Sequence, residues 1–223
     1  MFRYAYDLNG CSTAKMQELY IATGTVIELG EVVVFTPATG VEAASGTTLT
    51  APKAGVAAEA HDGSTDGRQS GLKIKVYTSP TAVFANTPKN ANTATGGSTT
   101  TFVDSSLLPA TDDYFNGGAI QILTCAADSD LIGKRVAISD FTGSGGTVTL
   151  AETLTAALAS GDTAYLCPGP LAITAYGWDL DSDNMEIDFE SDGGTVLQIV
   201  DVDPDTFQVY VKFRLHQFGN DAI

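Results

Sequence analysis

The run from Thr206 to His216 sets Phe207, Val209, Val211, Phe213 and Leu215 at alternate positions, with Gln208, Tyr210, Lys212 and Arg214 between them. Period two turns the first set to one side of an extended strand and the second to the other, so one face packs and one is wet. The alternation recurs in Leu72, Ile74 and Val76 against Lys73, Lys75 and Tyr77, and in Met185–Glu190 (MEIDFE). Turn-forming residues cut these runs short, as at Thr142–Gly146 (TGSGG), which reads as a hairpin turn. Charged residues are 17%, below the usual ~25%, while hydrophobic residues reach 43%, enough to bury a core. A length of 223 residues leaves room for one large domain or a few small ones. The expected fold is mainly β, in two to three small barrel or sandwich units with minor short helices.

The sequence divides into sections. Residues 1–88 hold strand candidates at Val26–Leu29, Glu31–Phe35, Gly55–Ala60 and Leu72–Tyr77. Ser12–Ala22 predicts two or three helical turns, with Thr13 as cap, Met16, Leu19 and Tyr20 on one face and Gly24 as stop. His61–Gly71 holds no apolar residue and reads as a long exposed loop. Low complexity through Thr87–Thr101 predicts a linker over 89–101. Residues 102–168 read as a compact unit with strands at Ala119–Thr124, Arg135–Asp140, Thr147–Leu150 and Thr163–Cys167. Residues 169–223 form an acidic β section expected to pack on that unit.

At the start of the chain, Phe2, Tyr4, Tyr6 and Leu8 alternate with Arg3, Ala5 and Asp7. Period two predicts a strand with one apolar face. Two roles fit it: the strand closes the chain's own sheet, or it is an arm that docks on another subunit.

Chemistry is sparse. Neither GSTDG (Gly63–Gly67) nor GRQSG (Gly67–Gly71) centres its Ser as a nucleophile elbow requires. His61 adjoins Asp62, but neighbouring side chains on a strand point apart, so no relay follows. Asp112-Asp113 reads as a surface turn before Tyr114 rather than an acid–base pair. No phosphate loop or dinucleotide fingerprint occurs. No catalytic residue is assigned and no enzyme is expected. The three cysteines, Cys11, Cys125 and Cys167, lie far apart and read as buried free thiols rather than a zinc site or disulfide framework. With 11 Lys+Arg against 27 Asp+Glu the formal charge is −16, which argues against a general nucleic-acid binder. No apolar run reaches the ~18 residues of a membrane span, and the first residues lack a signal peptide's apolar core. A product of the cytoplasm, with no membrane partner, is expected.

One acidic constellation has ligand-like spacing. Asp179, Asp181 and Asp183 occupy positions one, three and five of a calcium loop, and Glu190 falls at position twelve. Position eight should be apolar but is Glu186, and strand-like alternation takes over the second half. A solvated acidic turn is the favoured reading, with no cofactor; a calcium ion held there is the alternative.

The order of the pieces resembles a family. TGTVIELGEVVVFTPATG, then APKAGVAAEAHDG and GLKIKVYTSPTAVFAN, is similar to the small β-barrel of tailed-bacteriophage capsid decoration (cement) proteins. They share an opening hairpin, a G-V-A strand and a closing strand of the K-I-K-V-Y type. The stretch from TTFVDSSLLPATDDYFNGGAIQILT to GDTAYLCP resembles a β-module of phage virion proteins, through Asp112-Asp113-Tyr114, Gly118, Gly133 to Arg135 and Gly161-Asp162. The resemblance implies a non-enzymatic head protein, made in the host bacterium and carried on the virion exterior. It would bind the phage major capsid protein as a homo-oligomer, with a trimer favoured. Phe2, Tyr4, Tyr6 and Leu8 are the candidate capsid contacts. The alternative is a carbohydrate- or cell-surface-binding module of a phage tail or fibre.

Overall fold

The computed structural model describes residues 1–8, 15–44, 53–63, 71–89, 91–106, 112–174, 178–180, 187–192 and 197–213. The fold is mainly β, with two 3-10 turns, Ser129–Leu131 and Pro170–Thr174, as the helical pieces among the described residues.

Five strands curl into a half-barrel: β2 (Met16–Tyr20), β8 (Lys73–Tyr77), β6 (Gly55–Ala57), β4 (Val32–Thr36) and β5 (Gly40–Ala43), in that spatial order. Ile21 bridges back to Val41, so the first strand approaches the last. A small ribbon, β3 (Thr25–Ile27) with β7 (His61–Gly63), sits beside it. Ile21, Ile27, Val33, Val41, Ala57, Ile74 and Val76 fill the interior. Val32 and Val56 point the other way into the main core, so β4 and β6 are apolar on both faces. Gly55 fits this wall because a Cβ there would run into the Tyr77 carbonyl oxygen.

The middle of the chain builds a seven-stranded sheet. Its order is β10 (Asn92–Thr93), β16 (Thr163–Cys167), β13 (Ala119–Ile122), β14 (Arg135–Thr142), β15 (Thr147–Leu150), β12 (Thr101–Val103) and β11 (Gly96–Gly97). A register shift between Ile138 and Asp140 lets β14 serve both halves of the sheet. Phe102, Phe115, Ile120, Val136, Phe141, Val148 and Leu166 are buried beneath it.

The third sheet joins the two ends of the chain. β1 (Arg3–Asp7) pairs with β9 (Ala82–Asn86), whose other edge takes β20 (Gln208–Phe213). Beyond β20 lie β19 (Leu197–Asp203), β17 (Trp178–Leu180) and β18 (Ile187–Asp192). Its inner residues Phe84, Ile199, Val209, Val211 and Phe213 share one core with Phe2, Val32, Val56 and the middle module. The first and last sections of sequence are therefore one sheet, and β20 lies on β9.

Three expectations are corrected. Met16–Tyr20 is a strand, not the middle of a helix, because five consecutive pairs with β8 outweigh the helix-like spacing. Its Gln17 and Leu19 turn inward while Met16, Glu18 and Tyr20 are exposed. The linker expected over 89–101 instead supplies β10 and β11, with Asn92 and Ala94 buried. The backbone carbonyls of Ser98, Thr99 and Thr100 accept from the Leu158, Leu154 and Leu150 amides, so its polar chain is held by hydrogen bonds that composition does not reveal. The loop expected from His61 onward begins as β7, paired through Ile27–His61 and Val26–Asp62.

Cys125 and Cys167 are buried free thiols; Cys11 lies outside the described residues. Burial, then the Asp203 charge, pushes the Cys167 thiol up to about 12 from 9.0, against a smaller lowering by Arg135. Cys167 is expected to resist a thiol reagent at mildly alkaline pH in the folded protein and to react once urea unfolds it. Because the folded value is the higher, the thiol's stabilising contribution is full below about 9 and is lost as pH rises towards 12. Reagent titration with and without urea checks the first statement.

Candidate functional site

The four apolar side chains of the first strand do not share one face. Phe2 is 1% exposed, and its amide donates to the Gly30 carbonyl at 3.2 Å. Tyr4 stacks on Tyr77 with ring centroids 5.4 Å apart and meets Phe84 edge-on. Between Tyr4 and Tyr6 the register with β9 shifts: Tyr4 opposes Phe84, yet Tyr6 opposes Val83. That bulge reverses the alternation, since one extra residue moves every later side chain to the opposite face. Asp7 is consequently the buried residue, and Tyr6 and Leu8 are exposed.

Asp7 is the latch of this strand. Its Oδ2 accepts from the Ser79 hydroxyl at 2.5 Å and its Oδ1 from the Thr81 hydroxyl at 2.6 Å. Such short hydrogen bonds to a carboxylate are the strong kind and satisfy the desolvated charge. The Leu8 amide then donates to the Thr81 carbonyl, finishing the pairing. Of the two roles the sequence left open, this geometry is self-closure: Phe2 and Tyr4 belong to the protein's own core.

Besides Met1 and Leu29, exposed around Gly30, two apolar or aromatic surfaces lie open near this strand. One comprises Met16 and Tyr20 on one side of β2, with Leu8 exposed at the end of β1, and Lys73 Nζ lies 4.9 Å above the Tyr20 ring. Leu8 and Lys15 both reach the Thr78–Thr81 segment, since the Lys15 carbonyl accepts from the Thr78 amide. The other is the outer face of the six-stranded sheet, where Tyr6 meets Tyr210 with centroids 6.3 Å apart. Burial raises the Tyr6 pKa, and the nearby Asp201 and Tyr210 raise it further. Sequence reading missed this second cluster because its strands lie at opposite ends of the chain. The signal available was the wet face of the last strand, Gln208, Tyr210 and Lys212, which does not say what faces it.

Asp112 and Asp113 are turn residues. Asp112 accepts from the Gly143 amide at 2.9 Å, and Asp113, at φ 65°, accepts from the Asn116 side-chain amide at 2.8 Å. His61 lies half-buried on β7 and Asp62 is exposed, as expected for neighbours on a strand. Asp179 pairs with Asp188 along the β17–β18 ladder, and Glu190 falls on β18. Asp181 and Asp183 lie outside the described residues. Among the described residues, no group of three His, Cys, Asp or Glu is placed to hold a metal ion. No protein-family model matches the chain, and neither does any curated protein or any solved structure.

Proposed function

We propose that the protein binds the exterior of an expanded tailed-phage head and bridges neighbouring copies of the major capsid protein, without making or breaking a covalent bond. The observation that carries the reading is local. The G-V-A and K-I-K-V-Y runs, which carry the resemblance to decoration proteins, are hydrogen-bonded neighbours: Val56 opposes Tyr77 and Ala57 opposes Val76. They form one wall of a small half-barrel, which supports the resemblance to decoration-protein barrels.

The proposed lattice contact is the exposed strip Leu8, Met16 and Tyr20, each more than two-fifths exposed, rather than Phe2 and Tyr4. Covering three such side chains contributes roughly 25 cal/mol per Å² of apolar area, offset by association entropy. A homo-oligomer, a trimer in this reading, multiplies that modest contact by avidity. The protein is made in the bacterial cytoplasm and ends on the virion.

Sedimentation with separated heads and tails tests the proposal. The protein is expected to pellet with expanded heads to saturation, and Met16→Asp is expected to abolish this while the melting temperature holds. Pelleting with tails alone would overturn the head assignment.

A further inference from the structure

We propose that the outer face of the six-stranded sheet binds a hexose oligosaccharide, with Tyr6 and Tyr210 as stacking platforms and Asp201 and Gln208 as partners for its hydroxyls. This site goes beyond the lattice contact and uses a different surface from the Leu8–Met16–Tyr20 strip.

The inference starts from the bulge in β1. By reversing the alternation it brings Tyr6 onto the face where β20 presents Tyr210, and the two rings lie 6.3 Å apart at a tilt of 39°. Tyr6 stays 39% exposed. Across the strands, Arg3 opposes Ala85, Ala85 opposes Tyr210, and Tyr210 opposes Asp201. The small Ala85 side chain therefore leaves a shallow floor between Arg3 and the Tyr210 ring, two strands or about 10 Å apart.

The polar groups around the rings have capacity left. The Tyr210 hydroxyl donates to Gln208 Oε1 at 3.2 Å, which leaves the Gln208 NH2 without a partner among the described residues. Asp201 is exposed; its Oδ1 accepts from the Val202 amide at 2.9 Å, and its Oδ2 has no partner among the described residues. A raised Tyr6 pKa keeps that hydroxyl a neutral donor. Among the described residues the face thus offers two aromatic surfaces, one carboxylate oxygen and amide donors without a partner.

A sugar ring has matching chemistry. Its C–H face carries slight positive charge and suits the negative face of an aromatic ring, while its vicinal hydroxyls donate to a carboxylate and accept from an amide. Other ligand classes fit less well. A polyanion would meet Asp201 beside the two rings, although Arg3 and Lys212 are cations on the same face. A peptide adding a strand would need an open edge, but β9 and β20 are paired on both sides.

Titration calorimetry with maltohexaose and cellohexaose, on the isolated protein without heads, tests the assignment. Saturable binding of at least one of the two sugars is expected. Tyr6→Ala and Asp201→Asn are each expected to weaken it about tenfold, the upper end for one ring contact, while Tyr6→Phe retains binding. Unchanged melting of the Tyr6→Ala protein separates lost binding from lost folding. Absence of binding by both sugars, or equal binding by Tyr6→Ala, would overturn the proposal. So would dissociation of an oligomer by Tyr6→Ala, which would make this face a protein interface. A negative result with sugars leaves head binding standing, because that contact is read on other residues in a separate assay.

Discussion

Removal of residues 1–8 is expected to destabilise the protein by about 5 kcal/mol or more, a large share of the 5–15 kcal/mol that holds a typical domain. Phe2 is 1% exposed within the main core, and deleting such an aromatic costs about 3–5 kcal/mol because the cavity only partly collapses. The same truncation removes the Tyr4–Tyr77 stack and leaves Ser79 and Thr81 without the Asp7 carboxylate. It also uncovers one edge of β9. Urea denaturation of the truncated protein measures the loss. Phe2→Ala, which keeps the strand, should recover part of the stability and show how much belongs to the ring. A truncated protein that melts with the full-length one would contradict self-closure and restore the docking-arm reading.

Phe207→Ala is expected to cost about 3 kcal/mol, and Phe207→Gly is expected to cost less than Phe207→Ala. The usual order is the reverse, since glycine normally destabilises relative to alanine. Here Phe207 sits at φ 58° yet is fully buried. A left-handed conformation costs an ordinary residue about 1–2 kcal/mol that glycine does not incur. The β19–β20 turn enforces the geometry. The Thr206 hydroxyl and amide both donate to the Asp203 carboxylate, and the Phe207 amide donates to the Pro204 carbonyl at 3.3 Å. Those hydrogen bonds hold the Asp203 carboxyl below its ordinary value, so their support is present at neutral pH and fades as acid protonates it. What offsets the strain is docking. The Arg135 guanidinium of β14 lies 5.2 Å over the Phe207 ring, tying the C-terminal hairpin to the middle module. A Gly variant less stable than the Ala variant would contradict this account of the turn.

The strands with clean alternation and turn residues at both ends were legible in the sequence. Thr147–Leu150 and Thr163–Cys167 run as read, and Lys73–Tyr77, Ala119–Ile122 and Gln208–Phe213 differ at their ends. What the sequence hid depends on partners far along the chain. Met16, Leu19 and Tyr20 have helical spacing, and only the free edge of β8 makes that stretch a strand. Residues 89–101 look like a spacer, yet the Ser98, Thr99 and Thr100 carbonyls meet the Leu158, Leu154 and Leu150 amides. The first strand shows the limit most clearly. Its period-two pattern is real, but a bulge of one residue divides it. Asp7 was the clue, an acidic residue that finds Ser79 and Thr81 only after β1 and β9 have paired. The Tyr6–Tyr210 pair was illegible for the same reason: it exists because the two ends of the chain flank β9.

Head binding, the central claim, is tested most directly by calorimetry of expanded heads titrated with the protein. Something that binds the assembled lattice and not its separated subunits stabilises the lattice by mass action, by about 2.7 kcal/mol at a hundredfold excess over Kd. The account predicts that the head's melting temperature climbs with protein concentration and that Met16→Asp removes the effect. A head transition that stays fixed at every concentration of folded protein would contradict it.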